Sequence, residues 1–275
     1  MSGRGDRSAD PWFRLVEWSD EAPSGRTLAS IERTMKNTAA PNRSVHPYQQ
    51  PLAGGLVQIG VGESPWGVVA PLGTAVDPAA CRGVNLIVCE PVSGRDSELG
   101  LKDDDLDAVP RWLPSARAEV DAALLEIESA YPGAKLVLWP HAAGAISDAP
   151  SLRTFLRSRG VAAGGRWRFV YDASALLTPG MLGNAEDHLS RWSEVLLTHP
   201  DLAAVVVCEQ SPMAVAASES VGMSGAALIQ GGALTVPLLR SLGGLDPSVA
   251  LIVVGEQDGI GLGEQERLLA AAGLW

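Results

Sequence analysis

The feature that most constrains the fold is a regular alternation of short apolar runs with helical stretches from about residue 84 onward. Five runs have strand character, and each is followed by a segment whose apolar residues recur at helical spacing. The runs are 85–89, 135–139, 168–171, 203–208 and 250–254. Such alternation is typical of parallel strands joined by crossover helices.

Residues that favour helix ends bound the intervening segments, which are predicted as helices over 114–131, 148–160, 184–197, 235–242 and 263–272. The predicted start signals are Asp148, Asn184 and Thr235, and the predicted stop signals are Gly133 and Gly160. Apolar residues expected to face inward are Leu152, Phe155, Leu156, Leu189, Trp192 and Leu196.

The first third of the chain has a weaker pattern. Strands are predicted at 13–18 and 56–61, a helix at 27–35 and a short strand near 43–46. An eight-stranded barrel needs three strands before residue 84, with abbreviated or missing helices. We therefore predict an α/β protein of the (β/α)8 TIM-barrel class, distorted in its N-terminal third, with residues 1–11 disordered and 12–275 forming one domain.

Composition excludes several classes of function. The net charge of −11 disfavours nucleic acid, because it repels a phosphate backbone. Three cysteines without Cys-x-x-Cys spacing indicate neither a disulfide framework nor a structural zinc site. No apolar run is long enough for a membrane span, and the N-terminus has no signal-peptide core. We expect a cytoplasmic protein without a membrane or nucleic-acid partner; the sequence does not indicate its oligomeric state.

Ionisable residues follow almost every predicted strand. They are Glu17, Glu63, Glu90, His141, Asp172, Glu209 and Glu256. In a parallel barrel these positions converge on the rim where such folds place their active sites. Convergent carboxylates and an imidazole could bind a divalent cation or divide acid and base roles. The alternative is that these residues cap the following helices or lie in solvated loops, as acidic residues after strands commonly do.

Three segments resemble the xylose-isomerase-like barrels, a family that includes sugar-phosphate isomerases, epimerases and endonuclease IV. The segment 136–144, Leu-Val-Leu-Trp-Pro-His-Ala-Ala-Gly, is similar to the family's fifth strand with Glu-Asn-His. The segment 169–175, Phe-Val-Tyr-Asp-Ala-Ser-Ala, resembles its sixth-strand motif, Leu-Asp-Thr-Gly-His-Ala. Residues 230–256, from Gln-Gly-Gly to Val-Val-Gly-Glu, are similar to its Gly-x-Gly, the helix after it, Gly-Tyr and the terminal strand that ends in glutamate.

The resemblance implies a divalent metal (Mn, Mg, Co or Zn) held after strands five to eight. Asp172 and Glu256 match two of the family's four ligands, and His141 matches the third letter of Glu-Asn-His. Trp139 replaces the ligating glutamate, and Cys208 or Glu209 lies near the position of a missing histidine. Losing two of four ligands usually abolishes tight metal binding.

Two hypotheses follow. In the first, the protein is a sugar or sugar-phosphate isomerase or epimerase that moves a proton next to a carbonyl. Its catalytic residues are then Glu256, Glu209 and His141, its metal ligands Asp172 and Glu256, and its carbohydrate-binding residues Trp139 and Glu90. In the second, it is a non-catalytic barrel that has lost the metal site and acts as a binding or scaffold protein. The net charge of −11 argues against a third function, DNA repair.

Overall fold

A computed structural model gives the fold and describes residues 45–48, 57–59, 65–79, 81–90, 114–142, 144–177, 179–209, 234–254, 262–272 and 274. The strands are β1 (Val45–Tyr48), β2 (Val57–Ile59), β3 (Gly67–Pro71), β4 (Asn85–Cys89), β5 (Lys135–Trp139), β6 (Trp167–Asp172), β7 (Leu202–Val207) and β8 (Ala250–Val254). The predicted strand 13–18, the helix 27–35 and the N-terminal tail lie outside these residues.

The helices alternate with the strands from β4 onward. They are α1 (Pro114–Ala130), α2 (Ala149–Arg159), α3 (Ala173–Leu176), α4 (Ala185–Leu196), α5 (Thr235–Ser241) and α6 (Leu262–Ala271), with short 3-10 turns at Val161–Ala163 and Pro179–Asn184. Within the described ranges, no helix is both long enough and apolar enough to traverse a lipid bilayer.

Six strands, β3 to β8, form an all-parallel sheet that curls into a half-barrel, with neighbours in chain order. Two shorter strands continue the hydrogen bonding between its edges. β1 runs parallel to β8, whereas β2 runs antiparallel to both β1 and β3. The β1–β2 contact has a single registered pair, Tyr48 with Ile59.

The predicted (β/α)8 TIM barrel is therefore wrong, because the eight strands are not all parallel. The physical reason is the length of the connections. Residues 49–56 and 60–66 are the only chain available between β1, β2 and β3. A parallel crossover needs about a dozen or more residues, whereas antiparallel neighbours can be joined by a short turn. Residues 72–84 are long enough, and β3 and β4 are parallel.

Alternating side chains along the strands build two apolar clusters. The inner cluster lies on the concave face of the sheet and includes Ile87, Val137, Val170, Val206 and Ile252. The outer cluster joins the other strand face to the helices. The predicted inward residues of α2 and α4 all belong to it: Leu152, Phe155, Leu156, Leu189, Trp192 and Leu196. Apolar burial on both faces explains the almost purely apolar sequences of the central strands.

The predicted helix starts have mixed outcomes. Asp148 caps α2 with a full capping box, in which its side chain accepts the Ser151 amide at 2.8 Å. Asn184 occupies the cap position of α4 without a side-chain cap bond to the described residues. The prediction for Thr235 is wrong: Leu234 is the cap, and Thr235 is the first residue of α5.

Candidate functional site

Because β4 to β7 are parallel, residues just after them meet at one edge of the sheet, the carboxyl edge. Glu90 follows β4 directly, His141 lies two residues after β5, Asp172 ends β6, and Glu209 lies two residues after β7. The structure thus brings these predicted site residues to the same edge. Glu256 lies outside the described residues, as do Glu17 and Glu63.

The carboxylate of Glu90 holds the turn that leads into α2. Glu90 is buried, and its oxygens accept the amides of Ala145 and Ile146 at 2.6 and 2.9 Å. A Cβ atom on Gly144 would lie 2.8 Å from one of these oxygens, so a larger residue there would have to displace the carboxylate from these amides. Both oxygens of Glu90 therefore bind backbone of this chain.

His141 is buried between the ends of two neighbouring strands. Its Nε2 lies 3.0 Å from the carbonyl oxygen of Glu90, which assigns a proton to Nε2 because a carbonyl only accepts. The next amide, of Ala142, donates to the carbonyl of Ala175 at 2.8 Å. The loop after β5 is thus hydrogen-bonded to the segments that follow β4 and β6.

Trp139 and Asp172 bind each other inside the sheet. Both are fully buried, and the indole Nε1 of Trp139 donates to Oδ2 of Asp172 at 2.9 Å. The other oxygen, Oδ1, accepts the Ser174 hydroxyl and the Ala175 amide, each at 3.1 Å. Trp139 belongs to the inner cluster, so its ring lies on the inner face of the sheet. Trp139 is therefore a hydrogen-bond donor to Asp172.

Ser174 was missed by the sequence interpretation. Its hydroxyl contacts Asp172 and also lies 3.2 Å from Sγ of Cys208, which is buried. Burial raises the pKa of the Cys208 thiol well above its ordinary value, and the Asp172 carboxylate raises it further. Cys208 is thus a protonated thiol at neutral pH. The available signal was the Asp-Ala-Ser order, in which an aspartate caps a helix that begins at the next residue.

The side chain of Glu209 binds the start of α5. It is half-buried, and one carboxylate oxygen accepts the Leu234 amide at 3.1 Å while the other accepts the hydroxyl of Thr235. These contacts join the end of β7 to the helix that precedes β8. The position matches the capping alternative stated for acidic residues after strands.

Metal binding remains a prediction. Within the described ranges, no three His, Cys, Asp or Glu side chains form a group that could hold a metal ion. The predicted ligand pair includes Glu256, which the structure does not describe.

Comparison with protein-family models gave no match. Comparison with curated proteins found no match either. The similarity to xylose-isomerase-like barrels therefore rests on the three sequence segments alone.

Proposed function

We propose that this chain is a binding or scaffold protein built on an α/β sheet, and that its carboxyl-edge acids hold loops in place. The observation that carries the proposal is the environment of Asp172. Its carboxylate is fully buried and accepts hydrogen bonds from the indole of Trp139, the hydroxyl of Ser174 and the amide of Ala175. Charge-assisted bonds of this kind stabilise a buried carboxylate.

The same environment favours a structural role for Asp172 over metal binding. A cation must approach a carboxylate oxygen along a lone pair, and donors of this chain already use three of the roughly four lone-pair positions of Asp172, two on Oδ1 and one on Oδ2. Replacing a metal-ligating glutamate by Trp139 substitutes an N–H donor for an anionic oxygen. Such an exchange removes an anionic metal ligand and adds a donor that stabilises the Asp172 carboxylate.

Glu90 and Glu209 support the proposal in the same way. A general base must reach the proton that it abstracts, at about 2.6–3.2 Å or through one water. Each oxygen of Glu90 accepts a backbone amide. Each oxygen of Glu209 also accepts a donor from the start of α5. These acids stabilise loop geometry, which is the capping role that acids after strands commonly have.

The second candidate is a sugar or sugar-phosphate isomerase or epimerase. It is favoured by the shared position of His141, Asp172 and Glu209 at the carboxyl edge, with Glu256 just after β8 in the sequence. In this alternative, Glu256 and Glu209 exchange the substrate proton and His141 steadies the enediolate.

Manganese-dependent thermal stability separates the two candidates. The experiment measures Tm after chelation and after adding manganese for the parent, Glu256→Gln and the control Glu119→Gln, an exposed glutamate on α1. The binding or scaffold proposal expects all three proteins to keep their Tm within about 1 °C. An ion at about 100 times its Kd stabilises the native state by about 2.7 kcal/mol. A manganese-induced rise of several degrees in the parent and control, but not in Glu256→Gln, would overturn the proposal.

A cytoplasmic location and the absence of nucleic-acid and membrane partners belong to the same proposal. All three cysteines are buried free thiols, as is common in a reducing compartment. The net charge of −11 supports the exclusion of nucleic acid. Cell fractionation followed by immunoblotting would test the location.

A further inference from the structure

We propose that the cleft between α1 and α2 binds a neutral polyhydroxylated small molecule, a sugar or a polyol. The cleft has a volume of about 870 Å³ and runs between the two helices on the outer side of the sheet. One end is formed by the turn at Ala145 to Asp148, and the other by Gly164 to Arg166. This volume falls in the usual range for small-molecule sites, about 300–1,000 Å³.

The charges in the cleft balance one another. Its lining includes three arginines, Arg117, Arg159 and Arg166, and three acids, Asp121, Glu128 and Asp148. Arg159 lies 3.0 Å from Glu128 and 3.8 Å from Asp121. Arg166 donates to the carbonyls of Glu128, Tyr131 and Ala134 near the end of α1. Since no excess of either sign remains, the lining favours a neutral ligand over an anion or a polycation.

The α2 wall presents a row of hydroxyl oxygens. Ser151, Thr154 and Ser158 line the cleft at the spacing of one helix face. Each hydroxyl proton is donated to a backbone carbonyl of the same segment, at 2.9 to 3.0 Å. Ser151 Oγ also accepts the Asp148 amide at 3.2 Å, and each of the three oxygens keeps at least one lone pair as an acceptor. At the helical rise, the row spans about 10 Å, which is about the length of two sugar rings. It favours a ligand that carries several hydrogen-bond donors.

The α1 wall supplies donors. Arg117 uses its Nε for Asp121 at 3.3 Å, and its guanidinium lies 5.9 Å from the centre of the Phe155 ring. Its terminal nitrogens make no hydrogen bond to the described residues, and its side chain is 23% exposed. Sugar hydroxyls both donate and accept, so one ligand could bind the oxygens of α2 and the guanidinium of Arg117 together.

The cleft is preformed by contacts that do not involve a ligand. Glu128 accepts the indole N–H of Trp167 at 2.5 Å as well as a bond from Arg159. The Asp148–Ser151 capping box fixes the start of α2. Side chains that are already held in place lose little entropy when a ligand binds, which lowers the cost of binding. The inference is independent of the proposed function of the carboxyl edge, because a sugar could occupy this cleft whether or not Glu256 binds a metal.

Isothermal titration calorimetry with glucose, maltose and glucitol, each at up to about 50 mM, tests the inference. We expect at least one of these probes to bind the parent with a Kd of about 5 mM or tighter. Thr154→Trp fills the cleft from an exposed position and should weaken binding about tenfold or more. Ala122→Trp places the same ring on the exposed face of α1 outside the cleft and should leave Kd within about twofold.

A second variant, Arg117→Met, keeps the apolar stem but removes the donors, and should weaken binding about fivefold. Circular dichroism and Tm of each variant confirm folding before titration. The inference is overturned if no probe binds the parent, if Thr154→Trp binds like the parent, or if spermidine binds and none of the three probes does. These titrations measure equilibrium binding without manganese, so their failure is distinct from failure of the metal experiment.

Discussion

Asp172 and Asp121 both accept hydrogen bonds from N–H donors, but they lie in different surroundings. Asp172 is fully buried at the carboxyl edge, where its carboxylate faces an indole, a hydroxyl and an amide. Asp121 lies on α1 with its side chain 37% exposed, and it faces Arg117 and Arg159. Water competes for the hydrogen bonds of the Asp121 carboxylate but not for those of the Asp172 carboxylate. The comparison teaches that buried hydrogen bonds from neutral donors to Asp172 should contribute more to stability than the exposed ion pairs of Asp121 with two arginines.

The largest effect should come from Asp172→Ala. The change leaves the buried donors of Trp139, Ser174 and Ala175 without their acceptor, so we expect the free energy of unfolding to fall by about 3–5 kcal/mol. Urea denaturation monitored by circular dichroism measures the loss. The control is Asp187→Ala, which removes an exposed ion pair with Arg191 and should lower stability by less than about 0.5 kcal/mol. Equal losses for the two variants would remove the distinction.

Alkaline pH should probe the buried side of the comparison through Cys89. Burial is the largest cause that raises the pKa of its thiol, to about 12 from 9.0. The folded thiol therefore keeps its proton between pH 9 and 12 while the unfolded thiol loses it, and stability that is complete below pH 9 is lost as the pH rises. The slope is about 1.4 kcal/mol per pH unit for one thiol.

We expect Cys89→Ala to show a shallower loss of unfolding free energy between pH 10 and 11 than the parent, by about 1 kcal/mol per unit. The comparison of slopes is separate from any constant cost of the cavity that alanine leaves. Cys81→Ala is the matched thiol comparison. The pKa of Cys81 is also raised by burial and by Asp77, but only Cys89 has a shift large enough to reach about 12, so we expect a smaller change of slope for Cys81→Ala. If unfolding free energy falls with pH at the same slope in Cys89→Ala and in the parent, the raised pKa of Cys89 is contradicted.

The smallest effect should come from Asp121→Asn. Its contacts with Arg117 at 3.3 Å and Arg159 at 3.8 Å are solvent-accessible, so we expect a loss of about 0.5 kcal/mol in the free energy of unfolding. Salt at about 1 M should remove most of that difference, because exposed charges are screened. A loss above about 2 kcal/mol that persists in salt would place Asp121 in the same energetic class as Asp172.

Local sequence patterns predicted the second half of the fold well. The strand 203–208 and the inward faces of α2 and α4 follow from apolar periodicity, which depends only on neighbours along the chain. β3 was missed because Pro65 and Pro71 bracket a run of only five residues. The antiparallel direction of β2 depended on counting the short connections rather than on residue type.

The candidate site was predictable only as a set of positions. That Glu90, Asp172 and Glu209 meet at one edge follows from parallel strands. The groups that these acids bind do not follow from the strand pattern. Trp139 and Asp172 are 33 residues apart, and Glu90 and Ala145 are 55 apart. Whether an acid binds a ligand or a loop depends on the path of distant segments, which periodicity does not encode.

The packing of Glu90 against Gly144 also couples two distant positions of the chain. A Cβ at position 144 would lie 2.8 Å from a carboxylate oxygen that holds the turn, so a larger residue there has to displace Glu90 from its two amide contacts. If the Glu90 side chain is shortened first, as in Glu90→Ala, that clash is absent. The free-energy costs of changes at positions 90 and 144 should therefore be non-additive, and a double variant should lose less stability than the sum of the two single variants.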